Sequence, residues 1–313
     1  MSSNWFNKER TPTILVIGKN GQVGWELQRA LLPVGDIIAV DRARLDLTDS
    51  NSIRSVIHET QPDIIVNAAA YTAVDKAEEE HELAYQINAI APKTIAEEAK
   101  KINALLIHYS TDYVFNGRKD SPYEESDTPD PINIYGVSKL AGEQAIQKSG
   151  CQYLILRTSW VFSARAHNFL LSILRLSKEK PELNIVADQH GSPTSAHFIA
   201  DATAKIISQT NRELKQDSFT SGIYNLVSSG STSWHGFASA IIALAQKTLP
   251  DADFVTSIVQ AITTTEYPTP AKRPMNSRLS TKALTDRFGI HPPDWSEQMS
   301  LCLEELKQAE SKN

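Results

Sequence analysis

Thr13-Ile14-Leu15-Val16-Ile17-Gly18-Lys19-Asn20-Gly21-Gln22-Val23-Gly24 is the stretch that decides the fold. Its first five residues are β-branched or apolar and too few for a helix, so they read as a buried strand. Three glycines at three-residue spacing follow, and an apolar pattern of helical period starts among them. A strand that turns through glycines straight into a helix is the opening of a βαβ unit. Such a turn lets backbone N–H groups at the helix N-terminus approach a pyrophosphate that a Cβ would hold away. A tight turn made only for packing is the other reading of the same glycines.

Working outward, the pattern repeats. Strands are expected over 37–40, 64–67 and 105–110, separated by helical periodicity over 22–32, 52–60 and 78–101. Pro92 is expected to divide the last of these into two helices, because its ring and missing N–H interrupt a helix interior. Apolar strands alternating with helices predict an α/β fold, a Rossmann-like, doubly wound parallel sheet whose strand C-termini share one edge. Residues 116–132 read as a long surface loop, followed by a helix through 142–146, a strand over 153–157 and a helix over 169–177. Further strands are expected over 183–186 and 222–226 and helices over 198–207 and 235–245; no topology reads out of the last third.

A chain of 313 residues exceeds what one core usually supports, so two lobes are expected. These are a Rossmann domain over 11–165, with a returning segment near 183–200, and a smaller C-terminal α/β lobe over 166–313 for the substrate. The formal net charge of −6 argues against a nucleic-acid partner, and no stretch has the apolar length to cross a membrane. With no signal-peptide core before the first strand, the cytoplasm is the expected location. The two cysteines, Cys151 and Cys302, exclude a disulfide framework and read as buried thiols in a reducing compartment. Residues 1–10 read as a loose arm.

The candidate site residues lie at strand ends. Asp41 stands twenty-three residues after Gly18, where a carboxylate accepts hydrogen bonds from an adenosine ribose, while Arg42 beside it suits the 2′-phosphate of NADP. The choice between NADH and NADPH stays open. Asp46, before Leu47, reads either as an adenine neighbour or as a turn or N-cap residue. The run Asn67-Ala68-Ala69-Ala70-Tyr71-Thr72 permits close approach of a flat ligand or of a helix. Ser110, Thr111 and Asp112 end the fourth strand, placing hydroxyls at the edge that holds the glycine turn. Tyr135 and Lys139 are one helical turn apart and share a face, an arrangement expected to lower the phenol pKa toward the range useful for proton transfer.

Together these residues resemble the extended short-chain dehydrogenase/reductases. More narrowly, Gly18-Lys-Asn-Gly-Gln-Val-Gly24, Ala73-Val-Asp-Lys-Ala-Glu78, Arg157-Thr-Ser-Trp-Val161, Asp188-Gln-His-Gly-Ser-Pro-Thr194 and Tyr267-Pro-Thr-Pro-Ala-Lys-Arg-Pro274 resemble the dTDP-4-dehydrorhamnose reductase family, over nearly the whole chain from Thr13. The resemblance implies reduction of the C4 ketone of dTDP-6-deoxy-L-lyxo-4-hexulose by NADH or NADPH. It implies Tyr135 as proton donor, Lys139 tuning that phenol and holding the nicotinamide ribose, and Thr111 on the carbonyl oxygen. Gly21, Gln22, Val23, Asp41, Asp46, Leu47, Ala70, Tyr71 and Thr72 match cofactor positions, and Asp112 and Trp160 match sugar positions. Trp160 also reads as core packing, Asn88 as a water organiser or a helix-surface residue, and Arg273 as a clamp for the diphosphate.

Some members of the family join as dimers through Mg²⁺ and glutamates. His197 stands where one such glutamate is expected, with Glu26 and Glu304-Glu305 as remaining carboxylates, so Mg²⁺ is disfavoured, and monomer and homodimer both stand. Two other functions compete. One is a nucleotide-sugar epimerase or dehydratase, against which Tyr113 occupies the position of a dehydratase glutamate. The other is a non-catalytic NADP-binding subunit of methionine adenosyltransferase type, against which Thr111, Tyr135 and Lys139 are intact.

Overall fold

The computed structural model describes residues 10–250 and 252–310; most of the arm expected over 1–10 lies outside them. The first half runs β1 (Thr13–Ile17), α1 (Gln22–Ala30), β2 (Asp36–Val40), α2 (Ser50–Thr60) and β3 (Ile64–Asn67). It continues with α3 (Val74–Ala77), α4 (His81–Tyr85), a π-helical turn at Gln86–Ile90 and α5 (Ala91–Ile102). After β4 (Leu105–Thr111) and the long loop come α6 (Ile134–Ser149) and β5 (Gln152–Thr158).

The second half begins with β6 (Val161–Phe162), α7 (Phe169–Glu179), β7 (Glu182–Val186), β8 (His190–Gly191) and β9 (Thr194–Ser195). It continues with α8 (Ala196–Lys215), β10 (Gly222–Asn225), β11 (Thr232–Ser233) and α9 (Trp234–Thr248). The last elements are β12 (Ile258–Ile262), α10 (Lys282–Phe288) and α11 (Trp295–Glu310).

Six strands form one parallel sheet in the order β10-β5-β4-β3-β1-β2. Alternation along the strands sends Leu15, Ile65, Leu106 and Ile155 toward α2 and α5, and Ile14, Val66, Ile107 and Leu156 toward α1 and α8. The chain returns to this sheet from within the expected 183–200 segment and continues beyond it: α8, starting at Ala196, packs on α1, β10 pairs with β5, and Leu284 and Phe288 of α10 join the same core. The unassigned last third resolves into a second layer. There β12 pairs in parallel with β7, and α7, α9 and α11 share a core around Phe162, Phe237 and Leu303.

Pro92 does not separate two helices. It stands at the start of α5, and the helix runs into it from α4 through the π turn, whose wider winding carries the chain past the proline. At that turn Gly142 of α6 comes so close that an added Cβ would stand 2.1 Å from the Asn88 carbonyl oxygen. Only glycine lets α6 lie this deep.

A second bond holds α6. Glu143 accepts from Arg157 Nε and Nη2 of β5 at 2.9 and 2.6 Å, and both side chains are almost wholly buried. The Arg157 guanidinium also lies 5.0 Å from the Phe115 ring centroid. Removing one partner would strand a buried charge. We expect Glu143→Ala to lower stability by about 3–5 kcal/mol in urea unfolding, and Glu143→Leu with Arg157→Met to recover most of it. A single-variant loss below about 1 kcal/mol would show that the pair does not hold α6.

Candidate active site

The glycine turn has a separate reason at each position. Gly18 has φ +92°, a left-handed conformation, with Ala69 packed against it; a Cβ there would stand 2.9 Å from the Ala69 backbone nitrogen. At Gly24 a Cβ would stand 2.0 Å from the Gly18 carbonyl oxygen, so this residue sets the contact of α1 with the turn. Among the described residues nothing crowds Gly21, whose nearest neighbour to a Cβ would be 3.4 Å away. Its bare backbone leaves the N-terminus of α1 open. That terminus has no side-chain cap, whereas α2, α6, α7, α8 and α9 are capped by Asp49, Asn133, Asn168, Ser195 and Ser233. An uncapped N-terminus beneath a glycine cradle suits an anion.

The cradle opens into a cleft of about 310 Å³ reached by Asp41, Arg42, Asp46, Leu47 and Ala70. Asp41 accepts from Asn20 Nδ2 and pairs with Lys19 Nζ at 3.2 Å, and that lysine holds its carboxyl below the usual carboxylate range. Arg42 extends into solvent. Asp46 takes the turn reading, its Oδ1 accepting from Thr48 N and Oγ1, and it still borders the cleft. The alanine run serves both of its readings, Ala69 against Gly18 and Ala70 on the cleft. Val23 packs into the core, Gln22 Oε1 accepts from Ser163 Oγ, and Thr72 is exposed.

Asn88 is buried, not on a helix surface. Its Oδ1 accepts from Tyr71 N while Nδ2 donates to Tyr71 O and Ser138 Oγ, clipping the β3 loop to α6. Both amide hydrogens are thereby used.

Tyr135 and Thr111 meet where β4 ends and α6 begins. Asn133 caps α6 by accepting from Gly136 N at 2.8 Å, and Glu78 accepts from Ile134 N at 2.8 Å. The Tyr135 ring packs edge-on against Tyr113, with centroids 5.4 Å apart. Burial pushes the phenol up to about 12, opposed by the Thr111 hydroxyl and assisted by Asp112. Burial likewise raises the Asp112 carboxyl to about 6, with the Ser277 and Thr111 hydroxyls opposing.

The expected depression of the Tyr135 pKa by Lys139 is absent. Lys139 shares the helix face, yet Nζ donates to the Tyr109 carbonyl at 2.6 Å and lies 3.2 Å from His108 Nε2. The amine reaches down to β4, and desolvation lowers it to about 8.

In the second layer lies a cavity of about 590 Å³, walled by Phe169, Ile173 and Leu176 of α7, Val186 of β7, Trp234 of α9 and Arg273. Trp160, with φ +49°, stacks on Trp234 at 3.5 Å and fills the space left by Gly191. Its stacking partner Trp234 lines the cavity. The Arg273 fork is engaged: Nη1 and Nη2 donate to the two Asp75 oxygens at 3.1 and 2.7 Å. Thus Asp75 and Glu78 of the Ala73–Glu78 motif act as joints, to the 267–274 loop and to α6. Asp188 does the same by accepting from Thr264 N and Oγ1. Sequence reading missed Phe169, Gln189, Trp234 and Tyr267 because these wall residues are nearly a hundred positions apart with no local pattern.

Of the carboxylates considered for a metal, Glu26 and Glu305 stand along a groove of about 700 Å³ between α1, α8 and α11, and Glu304 is not among its lining. There Arg29 pairs with Glu26 at 3.4 Å and Asp201 at 2.8 Å, and its Nη2 lies 3.1 Å from His197 Nε2. A guanidinium thus occupies the place of positive charge. Glu305 borders the groove, and among the described residues no group of three or more His, Cys, Asp or Glu side chains is arranged to hold a metal ion.

Comparison with known proteins supplies names for this architecture. The chain is 48% identical to the dTDP-4-dehydrorhamnose reductase of Burkholderia thailandensis, the match covering 94% of this chain and 98% of that one. It is 45% identical to that of Escherichia coli K12, over 94% and 97%. A crystal structure of dTDP-4-dehydrorhamnose reductase from Bacillus anthracis in complex with NADP superposes with a TM-score of 0.82 at 36% identity, covering 95% of this chain and all of that one. The UDP-glucose 4-epimerase of Thermus thermophilus, 19% identical with a TM-score of 0.77, shares the fold alone. The pattern of the RmlD substrate binding domain matches residues 12–308, and the chain belongs to that family.

Proposed function

We propose that this protein reduces the C4 ketone of dTDP-6-deoxy-L-lyxo-4-hexulose to dTDP-L-rhamnose with NADH or NADPH, the last step of dTDP-rhamnose formation. One observation carries the reading: a buried, protonated phenol and a threonine hydroxyl meet at the sheet edge that also bears the open, glycine-lined helix N-terminus. The named relatives favour a reductase over an epimerase, dehydratase or regulatory subunit.

Gly18, Gly21, Gln22, Val23 and Gly24 would hold the cofactor pyrophosphate, Asp41 and Arg42 the adenosine ribose, and Asp46 and Leu47 the adenine. Ala70, Tyr71, Thr72 and Lys139 would hold the nicotinamide half. When bound, the cofactor supplies a hydride to the ketone carbon.

Tyr135 gives its proton to the oxygen as negative charge develops there. Its raised pKa keeps the phenol protonated throughout the neutral range, and the alkoxide is a stronger base than the phenolate. Thr111 donates to the same oxygen, a hydrogen bond that strengthens as charge grows and so stabilises the transition state more than the ground state. Asp112 and Trp160 border the sugar, and Arg273 meets the diphosphate when its fork parts from Asp75. The 166–313 lobe holds the nucleotide sugar, apart from the segments that return to the sheet. The free, buried Cys151 and Cys302 suit a reducing cytoplasm.

Tyr135→Phe keeps the ring and its packing but removes the proton donor. We expect turnover to fall by about two to four orders of magnitude, with NADH titrations unchanged. Turnover within about threefold of wild type would make Tyr135 structural.

Asp41→Ala frees Lys19 and removes the carboxylate offered to the ribose, while Arg42 keeps Asp46 beside it. NADH binding should weaken several-fold relative to NADPH binding, and equal weakening would remove Asp41 as ribose reader. Because Arg29 fills the cationic position beside Glu26, EDTA should change neither the melting temperature nor the mass in sedimentation; a Mg²⁺-dependent change in either would return the metal to this groove.

A further inference from the structure

The loop Tyr267-Pro-Thr-Pro-Ala-Lys-Arg-Pro274 carries three prolines, whose rings fix φ and stiffen its backbone. It is also tied down on two sides. Ala271 N donates to Asp75 Oδ1 of α3 at 3.2 Å, and the Lys272 carbonyl accepts from Asn133 Nδ2 at 2.8 Å. Arg273 therefore stands on a fixed root, and its reach lies in its long side chain.

Where that side chain goes is informative. Arg273 and Thr269 line the cavity of the second layer, whereas Asp75 is not among its lining residues. The end of the guanidinium is nevertheless turned to Asp75, Nη1 and Nη2 donating to Oδ1 and Oδ2, while Nη1 also donates to Thr269 Oγ1. Two parallel bonds to one carboxylate are the geometry in which a guanidinium also grips a phosphate.

This pair differs from the one that seats α6. Arg157 and Glu143 are almost wholly buried, so parting them strands a charge. The Arg273 and Asp75 side chains keep 23% and 40% of their surface exposed, so a released Asp75 carboxylate is taken up by water.

An anion entering the cavity meets Lys180 and Arg273 as the lining cations and Glu182 as the lining carboxylate. The arginine fork is the match for a diphosphate, and a carboxylate already fills it. The two anions do not share the fork well, because held on one guanidinium they stand close enough to repel. The diphosphate carries the larger charge and presents oxygens to the same two N–H groups, so exchange favours it.

We infer that Asp75 sets the affinity for the nucleotide sugar: its carboxylate stands in for the diphosphate on Arg273 in the free protein and leaves the fork when the ligand arrives. The inference rests on the reductase reading, which brings a diphosphate to this cavity. Burial works to raise the Asp75 carboxyl, but the Arg273 fork and the Ala271 N–H hold it below the usual carboxylate range, so the stand-in is an anion at neutral pH. The ties from Asn133 to Lys272 and from Glu78 to Ile134 N do not pass through the pair, so the first turn of α6 keeps its place during the exchange.

The test is calorimetric titration of dTDP into protein saturated with NADPH. Asp75→Asn retains an acceptor for Ala271 N but sets an NH2 group against Nη2, which releases the fork and removes the negative charge. It should tighten dTDP by about two- to tenfold and leave thymidine, which has no diphosphate, unchanged. Asp75→Ala frees the fork by another route, guards against a defect peculiar to asparagine, and should tighten dTDP as well. Arg273→Gln should weaken dTDP, and Asp75→Asn added to it should have no further effect, because the gain runs through the fork.

Failure of both Asp75 variants to tighten dTDP would overturn the inference, and weaker binding in both would make Asp75 a permanent support of Arg273. Tightening that persists in Arg273→Gln would also overturn it, leaving only repulsion at a distance. Wild-type protein that does not bind dTDP would overturn the nucleotide-sugar reading and the inference with it, whereas wild-type binding that neither Asp75 variant improves would overturn the inference alone.

Discussion

The seating of α6 governs the rest of the site. A buried bidentate pair ties Glu143 to Arg157 of β5, and Gly142 lets the helix settle onto the Asn88 carbonyl of the π turn. The Asn133 cap and the Glu78 carboxylate fix its first turn. With the helix held at both levels, Tyr135 has one place to stand, beside Thr111, and Lys139 has one depth to reach, the Tyr109 carbonyl. Proton transfer depends steeply on such placement, which makes a costly buried ion pair useful in a position where apolar packing would be cheaper.

Burial then sets the electrostatics. The Tyr135 phenol and Asp112 carboxyl are raised, and the Lys139 amine and His108 imidazole are lowered, with desolvation the first cause in every case. All four shifts favour the neutral form. A site this dry strengthens each hydrogen bond to a charge that appears during reaction, because little water competes for it. The glycine cradle is built on the opposite principle: α1 offers uncapped N–H groups at an open edge, where an anion completes what a side-chain cap does elsewhere.

Several motifs that resemble ligand contacts are joints of the fold. Asp75 holds Arg273, Asp188 holds Thr264, and Gly191 makes room for Trp160, whose left-handed backbone turns the chain from β5 into the second layer. The cavity walls are thus held apart by the same residues that mark the family. A wall fixed by buried contacts presents a formed surface to a ligand, so less ordering is needed on binding.

By itself, the sequence determined the parallel α/β sheet, its opening glycine turn, the strand ends that carry Asp41 and Thr111, and the helical spacing of Tyr135 and Lys139. These are local facts: strand and helix periodicities, and the backbone freedom of Gly18, are written within a few residues. Only the tertiary structure decided the return of α8 and β10 to the first sheet, the π turn that replaces a break at Pro92, and the use of Arg273 as a partner of Asp75. It alone decided, too, that Lys139 faces His108 and that Arg29 stands among the groove carboxylates. Each of these joins side chains far apart in the chain, and burial chooses the partner: a desolvated polar group takes the nearest complementary group, which no spacing in the sequence reveals.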